Sequence, residues 1–273
     1  MKKLLSILAI TTLFASCNSV SNYYQIYKVN PSENIVKKEN LLVFEDDNCI
    51  VSYDLWENGG NIGFNIYNKS NKNLHLNLEQ SFFILNNVAN NYFLNRVYSN
   101  STNSGTVTQS SASASKFITG FNNFNLLQTN NKTVSSSIGL VNSSGYSVSF
   151  TEEKIVIIPP KSSKYVMEYS INNTVYKDCD LFKYPTKKQI KTKTFSKTDS
   201  PLVFSNKIAY FMDSPDKLIV FDNSFFISEI TNYAEKEAFY SKTDEYCGKK
   251  ALTKSYYFND KSPDKFYVKY IKK

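Results

Sequence analysis

The side chains able to do chemistry are few in this 273-residue chain. His75 is the only histidine, so any Ser/His/Asp or Cys/His relay must run through it. It stands between Leu74 and Leu76 on the polar side of an alternating run and reads as an exposed surface histidine. Four cysteines are present, Cys17, Cys49, Cys179 and Cys247. One histidine among scattered cysteines gives no zinc spacing. Glu45-Asp46-Asp47 is the densest acidic group. It lacks the ligand spacing of a calcium loop and reads as a solvated strand end. Gly59-Gly60 has no helix after it, so it makes no phosphate cradle. No metal and no cofactor are expected. A carboxylate pair for glycoside hydrolysis is set by distance in space rather than in sequence, and stays open. Aromatics are the abundant candidates: twenty Tyr, twenty Phe and one Trp. Exposed rings stack on sugars or anchor protein contacts, and Trp56, Tyr67, Tyr92 and Tyr98 are the candidate ligand contacts. The competing reading is that they fill and cover a core.

The elements that must carry these residues are strands. In residues 41–93, apolar and polar side chains alternate with period two between turn clusters. Cys49, Val51, Tyr53 and Leu55 share a face; Ile62, Phe64 and Ile66 share the next; Leu74, Leu76 and Leu78 follow. Residues 57–61 hold the glycines of a tight hairpin, and Asn86-Asn87 reads as a two-residue reversal. Residues 98–115, rich in Ser, Thr, Asn and Gly, read as a long exposed loop. Residues 116–141 have no clean period and read as a loop excursion or a short helix. IVIIPPKSSKYVMEYSI predicts two strands joined by a proline turn. Lys191 and Lys193 mark an exposed strand protected from edge pairing. Asp222-Asn223 predicts a further hairpin, residues 231–242 give a weak helical signal, and 265–271 close the chain as a strand.

One apolar and one polar face per strand, without intervening helices, predicts a mainly β chain. The expected fold is an antiparallel β-sandwich of immunoglobulin-like character, with long loops and little helix. The expected organisation is a signal at 1–16, a tether or first strand at 17–40, and a sandwich core at 41–180. Residues 181–273 form a β-rich C-terminal part of the same sandwich or a small second domain.

Charge narrows the partners. The net charge is +8, and removing residues 1–16 lowers Lys+Arg from 32 to 30 against 24 acids. The surplus is spread along the chain, without the focused basic face or module of a nucleic-acid binder.

Residues 1–16 place Lys2 and Lys3 before an apolar run too short to span a bilayer, which is an export signal. Its end, Leu13-Phe14-Ala15-Ser16-Cys17, resembles the lipobox of bacterial lipoproteins. That resemblance implies lipidation (palmitate included) of Cys17 as the first mature residue, although Phe14 departs from the commoner Leu. Asn18, where an Asp would signal inner-membrane retention, points to the outer membrane. The acyl chains then supply the membrane partner. Export also places the remaining three cysteines in an oxidising compartment, where an odd number cannot all pair. Cys49 reads as a buried thiol, and Cys179 with Cys247 is the favoured disulfide.

Three segments, DNCIVSYDLWENGGNIGFNIYNKSNKNL, SFFILNN and SPLVFSNKIAYF, resemble uncharacterised lipoproteins of gut Gram-negative bacteria. The resemblance implies a cell-envelope, outer-membrane lipoprotein and brings no activity with it. The expected function is a non-enzymatic binding or accessory module with a protein or glycan partner. A glycan-acting envelope hydrolase and a structural subunit of a pilus or adhesin are the alternatives.

Overall fold

The computed structural model describes residues 21–104 and 144–272. The leader, Cys17, residues 116–141 and the part of the Ser/Thr-rich stretch beyond residue 104 lie outside the described residues. In chain order the strands are β1 (Ser21–Pro31), β2 (Ile35–Lys38), β3 (Leu41–Glu45), β4 (Cys49–Tyr53), β5 (Phe64–Asn68) and β6 (Leu74–Asn77). There follow β7 (Phe82–Leu85), β8 (Val88–Asn91), β9 (Val97–Ser104), β10 (Ser144–Thr151), β11 (Ile155–Ile158) and β12 (Ser163–Val166). The last six are β13 (Thr192–Thr194), β14 (Val203–Phe211), β15 (Ile219–Ala234), β16 (Phe239–Tyr246), β17 (Lys249–Phe258) and β18 (Lys265–Lys272).

These strands make an antiparallel β-sandwich. One sheet has five strands in the order β12-β5-β4-β3-β2. The other has nine, with the path β11-β6-β14-β15-β1-β18, β13 beside β15, and the β7–β8 hairpin beside β14. The immunoglobulin comparison extends to the sandwich architecture; these strand counts exceed the seven to nine of such domains. Strand β1 lies between β15 and β18 near one end of the larger sheet, and β14, β15 and β18 share that sheet with β6, β7 and β11. Two further two-stranded ribbons, β9–β10 and β16–β17, stand apart from the sheets.

Alternation produces this packing. Cys49, Val51 and Tyr53 on β4 and Phe64 and Ile66 on β5 are buried while their neighbours are half-open. They meet Tyr27, Phe204, Ile208, Tyr210, Phe225 and Phe266 of the other sheet in one continuous core. Asn86 and Asn87 both have positive φ, 46° and 66°, so the β7–β8 reversal is of the type their side chains tolerate. Among the described residues no helix is long and apolar enough to cross a membrane.

Four local expectations are corrected. Residues 98–104 are not loop but part of strand β9, paired with β10; a run of Ser, Thr and Asn has no apolar alternation to announce it. Asp222-Asn223 is not a turn, because β15 runs through it from Ile219 to Ala234. Asn223 is buried there and donates to the Tyr53 hydroxyl at 2.8 Å, which removes its need for water. The helical signal at 231–242 shrinks to the single turn Glu235–Ala238. Residues 57–61 do not form a tight hairpin. The β4–β5 connection is a longer loop that buries Leu55 and Ile62 and bonds the Gly59 amide to the Tyr267 carbonyl at 2.7 Å.

Gly60 shows why that loop needs glycine. Its φ is +74°, and an added Cβ would stand 2.8 Å from Ile171 Cδ1 and 2.9 Å from Phe266 Cγ. The buried Phe266 ring stacks on Tyr27 and cannot swing aside. Gly60→Ala is therefore expected to cost about 3 kcal/mol, combining overpacking with a left-handed backbone. Urea unfolding measures it, and a loss below about 1 kcal/mol would show that the loop relaxes freely.

Candidate functional site

The proline turn after β11 does more than join two strands. β11 closes one end of the nine-stranded path and β12 closes one end of the five-stranded sheet. The chain thus crosses from sheet to sheet through Pro159-Pro160, and Lys161 has a φ of 56°. Beside this crossing the β9–β10 ribbon leaves the body. A cleft of about 450 Å³ lies between them. Leu78, Val156 and Val166 form its apolar floor, Val156 and Val166 resting on the core.

Arg96 holds the cleft together. It lies one residue before β9, and Glu152 one residue after β10, so the ribbon's ladder sets them opposite: the Glu152 amide donates to the Arg96 carbonyl at 2.8 Å. The Glu152 carboxylate accepts from the Leu94 and Arg96 amides at 2.9 and 3.1 Å. It also accepts from Arg96 Nε at 3.2 Å and from Nη2. The other side of the guanidinium donates through Nη1 to both oxygens of Glu168, at 2.6 and 2.7 Å. One planar fork therefore ties the root of the ribbon to the segment after β12. Burial, the largest influence on Glu152, pushes its carboxyl up; the Arg96 hydrogen bonds and the two amides outweigh it and hold the carboxyl below its usual range.

The rim of the cleft is aromatic and apolar. Tyr98 and Phe150 are direct cross-strand partners, their rings stacked at 5.2 Å. The guanidinium lies 5.6 Å from the Tyr98 ring centre. Phe150, Tyr165 and Met167 are 54%, 51% and 56% exposed. Ile155 and Ile157 of β11 are also open to solvent. The cleft thus sets exposed apolar side chains around a fixed charge cluster.

The residues expected from sequence divide. Tyr98 and Tyr92 both line the cleft, but Tyr92 is 2% exposed and its hydroxyl donates to Asn206, so it serves the core. Trp56 packs against Phe258 and Tyr267 at the root of the β16–β17 ribbon. Tyr67 lies on β5, paired with Ser163, and does not line the cleft. Cys179 and Cys247 are free and exposed, so the expected disulfide is not formed; Cys247 caps the β16–β17 turn with a φ of 50°. Cys49 is a buried free thiol. His75 is half-buried and stacks on Phe211 at 4.7 Å. Asp46 of the acidic triplet accepts the Asn48 and Cys49 amides and the Tyr210 hydroxyl, which makes it a turn cap. Among the described residues no three His, Cys, Asp or Glu side chains gather as metal ligands would.

Comparison with protein-family models, curated proteins and solved structures finds nothing that matches this chain. Its geometry alone carries the argument. Sequence reasoning missed Arg96, Glu152 and Glu168, yet a signal was there. Arg96 is the one arginine in a chain whose other basic residues are all lysine. A position that departs from so strong a bias is one that needs a fork rather than a point charge.

Proposed function

We propose that this is a lipid-anchored protein of the bacterial cell envelope, held in the outer membrane through Cys17. It acts as a non-enzymatic accessory module whose cleft grips an extended segment of a protein partner. The observation that carries the binding part is the Arg96 clamp beneath an exposed aromatic rim. Glu152 and Glu168 both spend their oxygens on one guanidinium, which leaves neither as a free acid–base group. A glycosidase acid needs the opposite, a carboxyl pushed up towards neutrality. What the cleft offers instead is apolar rings for anchoring. It also offers two edge strands, β11 and β12, each paired on one side only among the described residues. Unpaired backbone amides and carbonyls beside side-chain pockets suit strand addition.

In-cell photo-crosslinking tests the reading. A photoreactive residue at Met167, on the rim, should give one discrete crosslinked species, whereas one at exposed Lys207 on β14 should not. Tyr98→Ala with Tyr165→Ala should abolish that species. The same products from both positions, or none from Met167, would overturn the cleft as a partner site. Incorporation of labelled palmitate, lost in Cys17→Ser, tests the anchor separately. Protease shaving of intact cells then tells the outer surface from the periplasmic face.

A further inference from the structure

The β16–β17 ribbon has no part in the cleft, yet its composition asks for a partner. Its root is firmly held. Phe239 and Phe258 pack together at 4.1 Å, and Tyr24, Trp56 and Tyr267 close around them. Its far half is held by nothing among the described residues. Every residue from 245 to 254 is exposed. Tyr246 is 84% exposed and Leu252 104%, with Tyr256 at 72% nearer the root. A bare two-stranded ribbon is marginal in water, and a fully open leucine at its bulge adds nothing to folding.

We infer that this ribbon is a membrane foot, whose far half docks on a bilayer surface carrying anionic phospholipid. Charge supports the assignment. Residues 245–254 hold three lysines, Lys249, Lys250 and Lys254, against one acid, Glu245, which faces Lys250 across the ladder. Asp244 lies nearer the root and is occupied by the Ser255 and Tyr257 hydroxyls. Lysines around tyrosine and leucine are the combination that settles at a headgroup layer. The rings and the aliphatic chain enter the acyl boundary while the ammoniums meet phosphates. Both outer edges of the ribbon are unpaired among the described residues, so strand addition by a protein is the competing outcome of the vesicle test.

Position supports it as well. Asn22, at the start of β1, donates to Glu235 at 3.0 and 3.2 Å, and Glu235 opens the turn that leads into the ribbon. The chain therefore enters the sandwich beside the ribbon's root. Cys17 precedes Ser21 by four residues, at most about 14 Å of extended chain. A ribbon strand of eight residues spans about 26 Å. A surface that holds Cys17 is thus within reach of the ribbon. The inference deepens the membrane part of the reading above, but the foot itself does not need Cys17 to be lipidated.

The test removes the lipid. Among the described residues the buried core lies between Tyr24 and Val268, so the chain from residue 18 onward keeps all of it. This unlipidated protein should float with phosphatidylcholine vesicles that contain phosphatidylglycerol, bind pure phosphatidylcholine weakly, and come off in high salt. Lys249→Glu with Lys250→Glu should weaken binding on the order of thirtyfold, as about 1 kcal/mol per basic side chain implies, and Leu252→Ser with Tyr246→Ser at least about tenfold, since both remove apolar area from the acyl boundary. Emission from Trp56, at the root, should be unchanged in both variants and so report an intact ribbon. A polarity-sensitive dye on Cys247 should shift to the blue with the anionic vesicles, and the same dye on Cys179 should not. No flotation, or flotation indifferent to the tip variants, overturns the foot. Palmitate labelling at Cys17 is unaffected by either result, so failure of the foot and failure of the anchor are read apart.

Discussion

Arg96→Met is expected to cost the fold about 3 kcal/mol at neutral pH and to reverse the sign of its acid response. Removing one partner of a buried ion pair strands the other, a loss of about 3–5 kcal/mol. The lower end applies because the Arg96 side chain is 32% exposed, against 7% for Glu152 and 19% for Glu168. In the native protein the Glu152 carboxyl lies below its ordinary value. Its stabilisation is therefore complete above the unfolded carboxylate pKa of about 4.3, and is lost as pH falls through the lower folded value. Without Arg96 the burial that already pushes this carboxyl up has less against it. Only the two backbone amides still oppose it, so the folded pKa is expected to exceed the unfolded one, with stability lost as pH rises through the interval between them. Urea midpoints at about pH 5 and about pH 7 decide the matter. The variant should be the more stable at the lower pH, and adding Glu152→Gln should remove that inversion. Arg96→Lys should restore only part of the loss, since one ammonium cannot span two carboxylates. A variant whose midpoint falls on acidification as the native protein's does would show that Glu152 does not depend on Arg96.

The same residues explain how far the fold and the site were legible. Period-two alternation identifies the faces of β4, β5 and β6, because an apolar side chain on a half-buried strand has only one side to go to. It also identifies the Asn86-Asn87 reversal, because few residues accept positive φ in succession. It fails at β9, where a run of Ser, Thr and Asn carries no apolar alternation. It fails again at Asn223, which looks like a turn residue and is a buried one. The cleft was half legible. An aromatic such as Tyr98 announces itself by type. The clamp joins Arg96 to partners 56 and 72 residues away, and no local pattern records a pairing that only the sheet-to-sheet crossing creates. The odd arginine among lysines was the trace it left.

Asn206→Leu should be nearly as damaging as the loss of Arg96, at about 3 kcal/mol, although it adds apolar volume to an apolar core. Asn206 is fully buried on β14. Its Oδ1 accepts the Tyr92 hydroxyl at 2.7 Å and its Nδ2 donates to the Ile62 carbonyl at 2.9 Å. Leucine would leave a buried hydroxyl and a buried carbonyl without partners, each costing about 1–3 kcal/mol, whereas the native pair of bonds leaves none. At roughly 2–4 °C per kcal/mol for a chain of this size, the melting temperature should drop by about 6–12 °C. Adding Tyr92→Phe removes one orphan and should recover about 1 kcal/mol, so the double-mutant cycle gives a positive coupling. The geometry extends this to register. Asn206 and Asn223 are direct cross-strand partners on β14 and β15. They hold Tyr92 and Ile62 on one side and Tyr53 on the other. A one-residue slip of β14 would turn Asn206 out of the core and bring Lys207 or Ser205 into its place, breaking every one of these bonds. The buried amides thus cost folding a desolvation term and in return admit a single strand alignment. A leucine variant within about 0.5 kcal/mol of the native protein would show that the apolar packing of β14 fixes the register unaided.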